Sequence, residues 1–106
     1  MEKPIYTYVG RVKIGSSLVF SWGGSGFERI KFFNDRLVAS AFPRKKTILY
    51  SEIDGLEWST AGYVRIKHHS KGSRFVAFFL FGKYNPELLK IYKILKNHGV
   101  PLKREA

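Results

Sequence analysis

A mainly β domain carrying one C-terminal helix is the fold class this sequence predicts, and three observations predict it. From Leu18 to Phe81 apolar residues recur in short runs, several at a spacing of two, which is the period of a strand with one buried face. Turn residues, chiefly Gly, Asn, Asp and Ser, separate the runs. After Asn85 the apolar spacing changes to three and four, the period of a helix.

The elements follow in order. Leu18 to Trp22 is apolar and β-prone, and Gly23-Gly24-Ser25-Gly26 supplies the positive φ values of a hairpin turn. Phe27 to Phe33 alternates, with Ile30 and Phe32 on one side and Arg29 and Lys31 on the other. Asn34-Asp35 turns the chain into Arg36 to Phe42. Pro43-Arg44-Lys45-Lys46 reads as a basic loop before Thr47 to Tyr50, and Ile53 to Trp58 is a short strand broken by Gly55. Val64, Ile66 and His68 alternate with Tyr63, Arg65, Lys67 and His69. Ser70 to Ser73 turns into Arg74 to Phe81, the last of seven strands. Connections this short favour antiparallel pairing. The first fourteen residues, where Tyr6 and Tyr8 alternate with Ile5 and Val9, form an extra strand or an extended arm. The helix is expected over 85–98. Asn85 is a good N-cap, Pro86 suits the first position and Glu87 complements the dipole. Leu88, Ile91, Tyr92 and Leu95 make one apolar stripe, and Gly99 with Pro101 ends it.

A chain of 106 residues has room for a single core. Its 44% hydrophobic and 16% aromatic content supplies that core. There is no cysteine, hence no disulfide framework and no thiolate chemistry, which suits a reducing compartment. No apolar run approaches the length of a membrane span and no signal-peptide pattern opens the chain, so a cytoplasmic protein is expected. Nineteen Lys and Arg stand against eight Asp and Glu, a net charge of +11. Solubility alone asks for roughly 2–8 in a small domain, so the excess predicts an anionic partner.

Strands of this number followed by one amphipathic helix resemble the pleckstrin-homology-like superfold. Phe32-Phe33-Asn34-Asp35-Arg36-Leu37-Val38 is similar to the second hairpin of its small bacterial and archaeal members and of the related GRAM domains. Ile48 to Leu56 resembles their turn into the fifth strand, and Tyr63 to His68 the sixth. The resemblance covers Leu18 to Pro101. It implies a seven-stranded antiparallel barrel, or orthogonal sandwich, capped by the helix, with residues 1–106 forming one domain. It also implies a binding module. Phosphoinositide-binding members carry cations around the first loop, but here Gly23 to Gly26 is uncharged and Lys13, Arg29 and Lys31 fit the lipid motif poorly. General attraction to an acidic surface remains.

Arg44, Lys45 and Lys46 form the densest cationic cluster. Arg29 with Lys31 and Arg65 with Lys67 would form a stripe of four cations if their strands shared a sheet. These seven residues are the expected anion-binding set, for an anionic lipid surface or an acidic protein. Nucleic acid is the alternative partner. Lys71 to Phe78 agrees with an RNA-recognition signature at six of eight positions but has Ser73 where the stacking aromatic belongs. A third reading is a structural or oligomerisation module. Phe75, Phe79 and Phe81 line the second face of an all-apolar strand and need a cover: the helix, the N-terminal arm or another copy in a homodimer. His68, His69 and His98 lack metal-ligand spacing, and neither paired carboxylates nor a nucleophile with its base is apparent, so no metal, cofactor or catalysis is expected.

Overall fold

In a computed structural model, which describes residues 3–17, 19–59, 62–79 and 86–101, nine strands precede one α-helix among those residues, with a single 3-10 turn at Tyr50–Glu52. They are β1 (Tyr6–Gly10), β2 (Val12–Gly15), β3 (Ser21–Gly23), β4 (Glu28–Phe32), β5 (Arg36–Ala41), β6 (Arg44–Leu49), β7 (Ile53–Trp58), β8 (Tyr63–His68) and β9 (Phe75–Phe79), and then helix α1 (Pro86–Asn97). The chain is thus mainly β with one C-terminal helix. Asn85 and Phe81 lie outside the described residues.

All pairings are antiparallel. One sheet has the order β1-β4-β5-β6 and the other β3-β2-β9-β8-β7. The sheets keep separate edges and are not closed into a barrel. The seven strands expected from the sequence recur as β3 to β9. The first fourteen residues add two strands, not a single strand or arm. β1 pairs with β4 in the first sheet, and after Arg11 β2 enters the second between β3 and β9.

Alternation decides what each sheet buries. In β4, Ile30 and Phe32 are inside while Arg29 and Lys31 are exposed, and in β5 Leu37, Ala39 and Ala41 point inward. Val12, Ile14, Val64, Ile66, Val76 and Phe78 face them from the second sheet. Leu88, Ile91 and Leu95 of α1 complete the same core, with Tyr92 half-buried beside it. The helix ends in a Schellman arrangement. Gly99 takes φ +82°, the amide of Val100 donates to Leu95 O at 3.0 Å, and that of Gly99 donates to Lys96 O at 3.2 Å. Val100 is itself buried, so the cap also places an apolar contact. Tyr6 donates from its hydroxyl to Glu87 at 3.1 Å, and the Tyr50 and His98 rings lie 5.1 Å apart, which ties the start of the helix to β1 and its end to the turn between β6 and β7.

The basic segment Arg44 to Lys46 is not a loop. The turn is confined to Phe42-Pro43, and Arg44 to Leu49 pairs residue for residue with Arg36 to Ala41. Three adjacent cations read as loop because they have low β propensity. β6, however, is an edge strand, where charged side chains reach solvent freely and discourage further pairing.

Candidate anion-binding face

The outer surface of the first sheet follows from this alternation. Because Ile30 and Phe32 point inward, Arg29 and Lys31 project outward from β4. By the same rule Arg36, Val38 and Ser40 project from β5, and Lys45 and Thr47 from β6. Register aligns them in rows. Arg29 is opposite Ser40, which is opposite Lys45; Lys31 is opposite Val38, which is opposite Thr47. Neighbouring strands lie about 4.8 Å apart, so Arg29 and Lys45 flank Ser40 within reach of one polyatomic anion.

A shallow depression of about 340 Å³ opens on this face, lined by Lys31, Phe33, Arg36, Val38, Ser40, Lys45 and Thr47. Three cations, two hydroxyls and no carboxylate make it a natural place for negative charge. Arg36 is the most restrained cation of the three, since its Nη1 lies 2.6 Å from Asp35 and its guanidinium sits 4.6 Å from the centre of the Phe33 ring. Lys31 and Lys45 enter no ion pair among the described residues.

The remaining members of the expected set are placed elsewhere. Arg44 and Lys46 lie on the opposite side of β6 from Lys45, and Lys46 donates to Lys71 O in the β8–β9 turn. Arg65 and Lys67 belong to the other sheet, so the stripe of four cations does not form. There Arg65 stands opposite Glu57 and Lys67 lies 4.0 Å from it. Alternation within a strand is local and readable, whereas sheet membership depends on pairings far apart in sequence. Arg36 was missed as a site residue because it opens its strand directly after a turn.

The second face of β9 is covered from within. Phe75 is only 6% exposed, and Phe79 is half-buried. The Tyr63 ring lies 5.7 Å from the Phe75 ring and 5.4 Å from that of Phe79, and the Arg65 guanidinium sits 6.0 Å over Phe75. The neighbouring strand β8 therefore supplies cover for which the sequence offers the helix, the arm or another copy. Phe75 is accordingly not an exposed stacking platform.

One buried polar side chain organises the loop beside this face. Glu28 shares the inward phase of Ile30 and Phe32, and its carboxylate accepts from the amides of Gly24 (3.0 Å), Val12 (3.1 Å), Ser25 and Gly26 (both 3.2 Å), and from the Ser25 hydroxyl. Burial alone would raise its pKa. The hydrogen bonds from Ser25, Val12, Gly26 and Gly24 outweigh that and hold the carboxyl below its ordinary 4.5. Gly23, Gly24 and Gly26 all take positive φ, as the sequence implied, but the turn closes no hairpin: it carries the chain from β3 in the second sheet to β4 in the first. The Lys13 side chain lies against Gly24, its Cε 3.0 Å from where a Cβ on that glycine would sit.

The histidines are separate. Burial, then the charge of Lys46, lowers the pKa of His68, while His69 Nδ1 lies 3.0 Å from Asp54. Among the described residues no three His, Cys, Asp or Glu side chains gather as metal ligands, and no helix is long and apolar enough to cross a membrane. No protein-family model matches the chain, and comparison with curated proteins and with solved structures gave no match either.

Proposed function

We propose that this chain is a non-enzymatic binding module of pleckstrin-homology-like type that engages an acidic membrane surface or acidic protein through the outer face of β4, β5 and β6. The carrying observation is the convergence of Arg29, Lys31, Arg36 and Lys45 with Ser40 and Thr47 on one face, in a chain of net charge +11. Such a face raises the local potential and speeds encounter with phosphates or carboxylates. The family likeness draws support from the order of seven antiparallel strands and a final helix packed into the core. The two additional strands and the open edges are departures from it. The cysteine-free composition fits a module working in the cytoplasm.

The test is binding to vesicles of phosphatidylcholine and phosphatidylglycerol (4:1), to polyglutamate and to an oligonucleotide, each at two salt concentrations. Near an acidic membrane each basic side chain is worth about 1 kcal/mol. Changing Arg29, Lys31 and Lys45 together to Ser is therefore expected to weaken vesicle binding by roughly a hundredfold. Changing Arg65 and Lys67 to Ser is expected to weaken it far less, because Glu57 already offsets those charges. Unaltered affinity of the triple variant for every acidic probe would overturn the proposal. Preference for the oligonucleotide would move the function to nucleic acid.

A further inference from the structure

One end of the two-sheet body presents large apolar side chains that the fold leaves in solvent. Phe42 is 95% exposed, Phe27 83%, Val19 82%, Phe20 75% and Trp22 49%. Single exposed apolar residues are ordinary, but Trp22, Phe27 and Phe42 lie on segments that meet, and Val19 and Phe20 directly precede the strand that carries Trp22. The register that sets Arg29 opposite Ser40 carries Phe27 and Phe42 to the same end of the β4–β5 ladder. Phe42 follows Ala41, whose Cβ lies 2.8 Å from where a Cβ on Gly23 would sit, and Trp22 precedes Gly23. Val19 and Phe20 stand on the turn that enters β3, held by hydrogen bonds from Ser16 N to Phe20 O (3.0 Å) and from Phe20 N to Ser17 Oγ (3.1 Å).

Cations surround this end. Arg44 follows Phe42-Pro43, Arg11 follows the residue paired with Glu28, and Lys13 lies on Gly24. Arg29 and Lys45 occupy the row of the anion-binding face nearest to it. The carboxylate set among them, Glu28, is buried and committed to amides.

Charge discriminates between occupants. A second copy would bring Arg11, Lys13 and Arg44 against their own counterparts in a chain that already carries +11, so like charges oppose self-association here. A single-stranded nucleic acid needs aromatics laid along a basic groove as a stacking surface. Here Phe20, Phe27 and Phe42 instead stand beside turns and Trp22 on the three-residue edge strand β3, with aliphatic Val19 among them. A bilayer interface suits both features, because apolar tips enter the headgroup–acyl boundary while cations stay at headgroup level and an indole favours the boundary itself.

We infer that this end docks into the interfacial layer of an anionic lipid bilayer, with Phe20, Trp22, Phe27 and Phe42 inserted and Arg11, Lys13, Arg44 and Lys45 at the headgroups. The inference rests on the electrostatic reading above and names its partner as lipid.

The experiment uses the full chain carrying Trp58→Phe, so that Trp22 is the sole indole, with vesicles of phosphatidylcholine alone or with one-fifth phosphatidylglycerol. Trp22 emission is expected to shift to the blue on the acidic vesicles and to be quenched by lipids brominated on their acyl chains. In the otherwise unmodified chain, Phe20→Ser and Phe42→Ser are each expected to weaken sedimentation with acidic vesicles by about tenfold while leaving the salt dependence unchanged. These positions are exposed, so folding is expected to survive the changes. Vesicle binding without quenching, and with full affinity in both Ser variants, would overturn insertion and leave the electrostatic proposal standing. Loss of vesicle binding only in the variant lacking Arg29, Lys31 and Lys45 would do the same. A concentration-dependent dimer abolished by Phe42→Ser would also overturn insertion, in favour of a second copy.

Discussion

Replacing Leu95 by Ala is expected to lower the free energy of unfolding by about 2–5 kcal/mol, read as a shift in the urea midpoint at unchanged slope. Leu95 is fully buried and shares one core cluster with Ile91, Leu88 and the inward side chains of both sheets. Its carbonyl also accepts the amide of Val100 that seals the helix end. The alanine variant keeps that backbone bond, so the loss isolates packing. Two paired ladders cannot close readily on the space vacated, which places the cost away from the low end of the range. Leu89→Ala on the same helix removes an exposed side chain and is expected to change stability by no more than about 0.5 kcal/mol. Equal midpoints for Leu95→Ala and the parent chain would mean the stripe does not face the core.

Glu28→Ala is expected to cost about 2–4 kcal/mol, because it strands amide donors that a charged acceptor now satisfies. Val12 N is the costliest of them, being buried beneath the β3–β4 loop. Glu28→Gln keeps one acceptor oxygen and is expected to lose about half as much. The pH dependence carries a definite sign. The folded-state pKa is depressed, so this stabilisation is fully present above about pH 4.5 and is lost as pH falls through the lower folded-state value. The gap between the parent chain and Glu28→Gln in thermal midpoint is therefore expected to be widest near neutrality and to narrow in acid. A gap that stayed constant down to pH 2 would show that Glu28 acts through shape and not through charge.

Much of the fold could be read from local pattern. Alternation over Glu28 to Phe32 and Tyr63 to His68 gives the buried face of each strand directly, and the period change at Pro86 locates the helix. The inward phase of Glu28 was equally visible, as a carboxylate in step with Ile30 and Phe32. Less could be read of the site, since a face is assembled from strands whose pairing no local pattern states. Arg29 and Arg65 look alike in their own segments, yet one meets Lys45 across Ser40 and the other meets Glu57. The cover over Phe75 escaped notice for the same reason, because it comes from Tyr63 across a ladder and not from a neighbour in sequence. Phe27 and Phe42 looked like strand residues because each adjoins a strand; the turns beside them are what leave them in solvent.

The passage of the chain from β1 into β2 has a consequence for biosynthesis. Val12 and Ile14 form their ladder with Phe78 and Val76, so β2 is completed by a strand translated well after it. Until then β2 has only the three-residue β3 beside it, and a two-stranded ribbon that short is not stable in water. The second sheet is therefore finished only after translation has passed Phe79. Its closing step must bring together strands far apart in sequence, a topology that places folding in the millisecond-to-second range typical of all-β domains.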